Sequence, residues 1–199
     1  MKRGLRGDDR YELTTVGFNG KCPQKGRGSM TESILDGKRI LAVDDEPDVL
    51  AVLEEEILTF CPNCKVDKAT TYEEAANKLK SQIFDIVILD IMGVRGFDLL
   101  DLAVGRNLPV AMLTAHALNP EALKHSIQMG ARAYLPKEKL GEIVPFLEDI
   151  FLETDNLSGW GRLMKKLEGL LNSRWGENWQ QTDEKFWKEF DKKSAHVKW

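Results

Sequence analysis

A doubly wound α/β fold, built on a five-stranded parallel sheet and followed by a helical tail, is what this sequence predicts. Three observations lead there. Four apolar runs of strand length recur along the chain: Arg39-Ile40-Leu41-Ala42-Val43, Phe84-Asp85-Ile86-Val87-Ile88-Leu89-Asp90, Val110-Ala111-Met112-Leu113-Thr114 and Ala131-Arg132-Ala133-Tyr134-Leu135-Pro136. Segments of helical periodicity separate them, at the spacing of a parallel sheet with helices on both faces. Polar groups then stand at the C-terminal end of each run, where open α/β sheets place their chemistry. Asp44 and Asp45 follow the first, Asp90 closes the second, Thr114 ends the third and Lys137 follows the fourth.

The elements follow in order. The first strand reads as residues 39–44. Pro47 favours the first turn of a helix, where its missing N–H costs nothing. Val49, Leu50, Val52, Leu53, Ile57 and Leu58 give that helix a buried face, and Cys61-Pro62 ends it. A short second strand falls near Lys65–Ala69. Thr70 or Thr71 caps the second helix, with Glu73 or Glu74 in its first turn and Ala75, Ala76 and Leu79 facing inward. The third strand is 84–90, the third helix about 97–105 and the fourth strand 109–114. Asn119-Pro120 opens a fourth helix, which Gly130 ends as a C-cap. A fifth strand at 132–135 leads to a helix at about 138–153, which Pro145 should kink or restart because it removes a backbone donor.

Charge divides the chain into three parts. Residues 1–35 carry seven Lys/Arg against four Asp/Glu and little apolar periodicity, and read as a disordered basic arm. Met30 offers an alternative start within it. Residues 36–154, the α/β domain, carry 12 Lys/Arg against 21 Asp/Glu, which disfavours nucleic-acid binding by that domain. Residues 155–199 carry nine against seven, too weak a surplus to argue for DNA. In this tail Trp160, Leu163, Met164, Leu167, Leu170 and Leu171 fall on one helical stripe, and Thr182-Asp183-Glu184 starts a second helix bearing Phe186, Trp187 and Phe190. The stripe calls for a partner: its own α/β domain, by extending the fifth helix, or a homodimer or downstream protein target. With no apolar membrane span and no signal-peptide h-region, the expected location is cytoplasmic.

Three carboxylates converging at one sheet edge would repel one another unless a cation neutralised them. An all-oxygen cluster suits Mg²⁺, and a Lys and a Thr suit phosphoryl oxygens. Cys61-Pro62-Asn63-Cys64 lacks the second pair that would complete a zinc site, and it follows a helix where a redox dithiol would open one. It reads as two loop cysteines. His116 has no evident nucleophile to serve and reads as a loop histidine.

Taken together, Ile40-Leu41-Ala42-Val43-Asp44-Asp45-Glu46-Pro47, Val87-Ile88-Leu89-Asp90, Met112-Leu113-Thr114-Ala115 and Gly130-Ala131-Arg132-Ala133-Tyr134-Leu135-Pro136-Lys137 resemble the receiver domain of two-component response regulators, over roughly residues 37–153. The resemblance implies a flavodoxin-like receiver whose Asp90 accepts a phosphoryl group from a sensor histidine kinase or a histidine phosphotransfer protein. It implies Mg²⁺ held by Asp45, Asp90 and the Met92 backbone carbonyl, with Asp44 acting through water. It gives Lys137 and Thr114 the phosphoryl oxygens, and makes Thr114 and Tyr134 the switch pair that biases a surface of the fourth helix, fifth strand and fifth helix. Such a domain is regulatory rather than an enzyme of turnover. Three departures stand against the pattern. The segment Ile91-Met92-Gly93-Val94-Arg95-Gly96-Phe97-Asp98 is short and lacks the usual proline, Thr114 follows Asp90 by only 24 positions, and Pro136 precedes Lys137 where Pro commonly follows. The shortened loop favours a rival reading, a pseudo-receiver scaffold that keeps the fold without phosphate turnover. A DNA-binding regulator and a thiol oxidoreductase built on Cys61 and Cys64 are weaker rivals.

Overall fold

The structure is a computed structural model and describes residues 33–115, 119–152 and 158–194. The basic arm, Cys22, Met30 and His116 lie outside the described residues. Five strands form one parallel sheet: β1 (Arg39–Val43), β2 (Lys65–Ala69), β3 (Ile86–Asp90), β4 (Val110–Thr114) and β5 (Ala133–Pro136), in the order β2-β1-β3-β4-β5. β3, β4 and β5 are buried at every position, because helices cover both faces of the sheet. Their sequences are accordingly apolar runs rather than alternating ones. β2 is an outer strand and carries Lys65, Asp67 and Lys68.

The helices are α1 (Pro47–Phe60), α2 (Tyr72–Ser81), α3 (Gly96–Val104), α4 (Pro120–Gln128) and α5 (Ile143–Leu152). α1 packs beside α5, and α2 beside α3. Caps fix their starts. Thr71 Oγ1 accepts from Glu74 N at 3.2 Å while Glu74 Oε2 accepts from Thr70 N at 3.2 Å, so both threonines serve α2. Asn119 Oδ1 accepts from Ala122 N at 2.7 Å and caps α4. Gly130, at φ +91°, takes the left-handed conformation that stops the chain after α4.

Several boundaries differ from the sequence reading. β1 ends at Val43, one residue earlier than expected, although Asp44 N still donates to the Ala69 carbonyl of β2 at 3.2 Å. β5 is one residue later than expected, so Pro136 closes it. The segment after β5 is a 3₁₀ helix, Lys137–Glu142, followed by α5. Pro145 lies in the first turn of α5, where an N–H has no intrahelical partner, so the helix restarts instead of kinking.

The tail forms α6 (Ser158–Trp175), a 3₁₀ turn (Trp179–Asp183) and α7 (Glu184–Ser194). Residues 153–157 are outside the described set; beyond them α6 runs back beside α5, with Lys166 Nζ donating to Asp149 Oδ2 at 2.5 Å. Its stripe packs back on the chain: Trp160, Leu163, Leu167 and Leu171 are buried, with Met164 and Leu170 half-buried beside them. Trp160 Nε1 donates to the Ala131 carbonyl at 2.9 Å. An aromatic chain joins α6 to α7, with Trp175 to Trp179 and Trp179 to Trp187 at 4.8 Å and Trp187 to Phe190 at 5.6 Å between ring centroids. These edge-on contacts bury large apolar area with favourable ring geometry. Asp183 Oδ1 accepts from Phe186 N at 3.2 Å and caps α7, as the Thr-Asp-Glu signal predicts. Among the described residues no helix is long and apolar enough to cross a membrane.

Candidate functional site

In this strand order the connections from β1 and β3 leave in opposite directions across the sheet, opening a crevice at their C-terminal ends. Asp44, Asp45 and Asp90 stand there. One oxygen from each lies within 4.8 Å of the others. Asp44 is fully buried and Asp90 is 3 % exposed, while Asp45 faces outward.

Local structure fixes each group. Asp44 Oδ1 accepts from Glu46 N at 3.0 Å, a turn that carries the chain from β1 into α1. Asp90 Oδ2 accepts from Met92 N at 3.1 Å and Gly93 N at 2.7 Å. These two donors hold one oxygen of the carboxylate; its other oxygen, Oδ1, lies 3.3 Å from Lys137 Nζ. That ammonium also approaches Asp44 Oδ2 at 2.7 Å and Glu46 Oε1 at 2.9 Å. The contact with Asp44 Oδ2 is a buried ion pair. The Lys137 side chain is 11 % exposed.

Titration follows from these contacts. Burial works against the charge on Lys137, but the Asp44 and Glu46 carboxylates and the Asp90 charge outweigh it and raise its pKa above the ordinary lysine value. Asp44 is raised above the usual carboxylate range, chiefly by burial and further by the neighbouring Asp90, against the pull of Lys137 and the Glu46 N–H. A raised folded-state value means that the folded protein holds this proton more tightly. Its contribution to stability is therefore present below the unfolded value and lost as pH rises through the raised one. Asp44→Asn should make the protein more stable at neutral pH and flatten the pH dependence of its unfolding midpoint just above the carboxylate range. Denaturant titrations of the metal-free protein across that range check this, and a lower midpoint for Asp44→Asn would contradict it.

Thr114 is fully buried at the end of β4, and its hydroxyl has no hydrogen-bond partner. Tyr134 is fully buried on β5. Burial pushes its phenol up to about 12, an effect partly offset by the Thr114 hydroxyl and the Asn119 backbone. The phenol and the Thr114 hydroxyl are thus neighbours. Met92 is 71 % exposed beside the acids.

The short loop after Asp90 depends on residues that sequence reading did not single out. Arg95 adopts a left-handed conformation (φ 55°, ψ 50°) ahead of α3, and its side chain bonds Asp98 Oδ2 at 2.7 Å and covers the Tyr72 ring at 4.3 Å. A Cβ on Gly96 would stand 2.1 Å from the Asp90 carbonyl oxygen and 2.9 Å from the Ile91 Cα. Both are backbone atoms, so the loop itself would have to move. Gly96→Ala should cost about 1–3 kcal/mol, as overpacking does, and displace Asp90. Equilibrium unfolding measures the first, and amide chemical shifts of Asp90, Met92 and Gly93 report the second. On Gly93 a Cβ would fall 1.7 Å from Asp45 Oδ1, so this glycine leaves room for that carboxylate. Glu46, quoted in sequence only as part of a motif, proves to be a direct partner of Lys137.

The other candidates lie apart from the acids. Cys61 and Cys64 are both free and buried. Cys61 Sγ donates to Ser33 Oγ at 3.3 Å and Cys64 Sγ to the Leu35 carbonyl at 2.8 Å. Burial, then the neighbouring Cys61, pushes Cys64 up to about 11. A thiol held in its protonated form is a poor nucleophile, which fits two packing cysteines.

This sheet order, with an acidic crevice at the carboxyl ends of its central strands, defines the class of doubly wound, flavodoxin-like α/β domains. The chain belongs to the response regulator receiver domain family, whose model matches residues 40–147. Among curated proteins it is similar to the two-component response regulator ARR18 of Arabidopsis thaliana, 40 % identical over 107 residues. It is also similar to ORR24 of Oryza sativa, 37 % identical over 120 residues. These matches cover 51 % and 56 % of this chain but 16 % and 18 % of those relatives, so the chain spans less than a fifth of their length. A response regulator from Thermotoga maritima shares the fold at TM-score 0.53 and 19 % identity, covering 58 % of this chain and 98 % of that one. The signal receiver domain of a DNA-binding response regulator from Colwellia psychrerythraea does so at TM-score 0.53 and 20 % identity, over 58 % and 99 %.

Proposed function

We propose that this chain is a phosphoacceptor response regulator. It takes a phosphoryl group from a sensor histidine kinase or a histidine phosphotransfer protein onto Asp90 and signals by protein contact. The observation that carries the reading is the joint placement of Asp44, Asp45, Asp90, Thr114 and Lys137 at one sheet edge, in a chain of the receiver family.

The donor set fits Mg²⁺. All its side-chain ligands are carboxylate oxygens, one from each of Asp44, Asp45 and Asp90 lying within 4.8 Å of the others, and Gly93 leaves space beside Asp45. Asp45, Asp90 and the Met92 carbonyl would hold the ion, with Asp44 acting through water. Once bound, the ion would neutralise charge on the phosphoryl group in transit. The protein's own part is positioning and electrostatics. An Asp90 oxygen forms the new P–O bond as the P–N bond to the donor histidine breaks, and the histidine nitrogen leaves with the bonding electron pair and takes up a proton. The Met92 and Gly93 N–H groups keep the carboxylate aimed. Lys137 shifts from its carboxylate partners toward a phosphoryl oxygen as a mobile point charge. The Thr114 hydroxyl, buried without a partner, donates to another.

Intact mass after incubation with acetyl phosphate tests this. One phosphoryl adduct should form with Mg²⁺ and disappear with a chelator. No adduct under either condition would favour the scaffold reading instead.

A further inference from the structure

The tail sits on one face of the receiver, and its contacts fall beside the groups proposed to hold phosphate. Trp160 anchors it, 1 % exposed, with its indole N–H on the carbonyl of Ala131, three residues before Tyr134. Arg174 makes a forked contact with both oxygens of Glu138 at 2.9 Å each, and Glu138 is the residue after Lys137. Lys124, one turn into α4 from its Asn119 cap, pairs with Asp183 and lies over the Phe186 ring at 5.1 Å. α6 and α7 are therefore held at α4, at the start of β5 and at the 3₁₀ turn that carries Lys137.

A phosphoryl group on Asp90 would draw on two donors. One is Lys137, now shared among three carboxylates; the other is Thr114, whose hydroxyl has no hydrogen-bond partner. Recruiting them pins the ends of β4 and β5, the backbone from which Glu138 projects. Moving the Thr114 hydroxyl toward the phosphate leaves space on the side where Tyr134 lies. With the tail docked, Tyr134 is already fully buried against Thr114 and the Asn119 backbone. The docked arrangement is thus the one that an occupied phosphate site favours.

We propose that residues 158–194 form an intramolecular strap on the face of α4, β5 and α5, and that phosphorylation of Asp90 tightens it. The inference rests on the phosphoacceptor reading. Coupling of this kind is reciprocal, so a strap tightened by phosphate must in turn strengthen binding at the phosphate site.

The test uses the full chain, with hydrogen exchange of α6 and α7 amides followed with and without acetyl phosphate and Mg²⁺, and intact mass recorded on the same samples. Phosphorylated protein should exchange at least about fivefold more slowly in these helices, the lower end of ordinary allosteric coupling. A double variant, Arg174→Ala with Asp183→Asn, removes two partly exposed ion pairs while the Asn amide oxygen can still cap α7, and should fold. It should exchange faster in α6–α7 and bind beryllium fluoride with Mg²⁺ more weakly by about the same factor. A clear adduct with unchanged or faster tail exchange overturns the strap and leaves the phosphoacceptor reading standing. Unchanged beryllium fluoride affinity in the double variant, with its tail loosened, also overturns the strap. Absence of any adduct removes both.

Discussion

Asp90→Asn should abolish the phosphoryl adduct while leaving the fold intact. An amide keeps a carbonyl oxygen that can accept from Met92 N and Gly93 N, as Asp90 Oδ2 does now, so the loop after β3 loses no structural bond. What it lacks is the anionic oxygen that attacks phosphorus. Removing a buried negative charge also relieves its repulsion with Asp44, so thermal stability should hold or rise. Labelling falls to background even at high acetyl phosphate, and circular dichroism stays at the wild-type spectrum. Asp45→Ala should behave differently: the acceptor survives, but a ligand is gone, and the Mg²⁺ needed for half-maximal labelling should rise. Labelling of Asp90→Asn at the wild-type level would place the acceptor on another residue and sink the assignment.

The reasons that much of this site could be read from sequence are physical. A carboxylate ending a run as apolar as Ile86-Val87-Ile88-Leu89 has no apolar surface left to cover, so it must sit at a strand end facing polar company. The same logic placed Asp44, Thr114 and Lys137. Parallel strands buried on both faces produce unbroken apolar runs, which made β3 and β4 the easiest elements to find. β2 has no such run, and was legible through its position between two helices. Harder were features set by distance rather than type. Nothing in the order of residues shows that Gly96 meets the Asp90 carbonyl, because that approach depends on how a short loop closes. Glu46 reaches Lys137 across 91 positions, a pairing that only the sheet order creates.

The tail was legible in kind but not in placement. Its stripe announced an apolar face, and helical periodicity is a local property. Where that face docks is a tertiary question, and a continuous fifth helix was the simplest path. Beyond residues 153–157 the described chain instead runs back beside α5 and turns its stripe onto β5 and α5. Trp179 lies outside that stripe, yet it joins the two tail helices because its ring meets both Trp175 and Trp187.

The second large effect is expected at Trp160. It is among the largest fully buried side chains, it meets the Phe190 ring edge-on at 6.5 Å, and its indole satisfies the Ala131 carbonyl. Trp160→Ala deletes this volume and leaves both a cavity and a carbonyl without that donor, a change that costs about 3–5 kcal/mol in well-packed cores. Against a total stability of about 5–15 kcal/mol for an ordinary domain, that is a large fraction. Trp160→Phe separates the two contributions: it keeps an aromatic ring and loses the N–H, so the part of the loss due to the buried carbonyl should be about 1–3 kcal/mol. Urea unfolding followed by far-UV circular dichroism gives both numbers, and the shape of the curve decides what the tail is. If α6 completes the core of the receiver, the wild type unfolds in one transition and Trp160→Ala shifts that transition whole. Truncation after Thr154 should then lower the midpoint as well, because the side chains beneath Trp160, Leu163 and Leu167 return to water. A Trp160→Ala protein less than about 1 kcal/mol below wild type, or a truncated chain with an unchanged midpoint, would mean that the tail rests on the receiver without stabilising it.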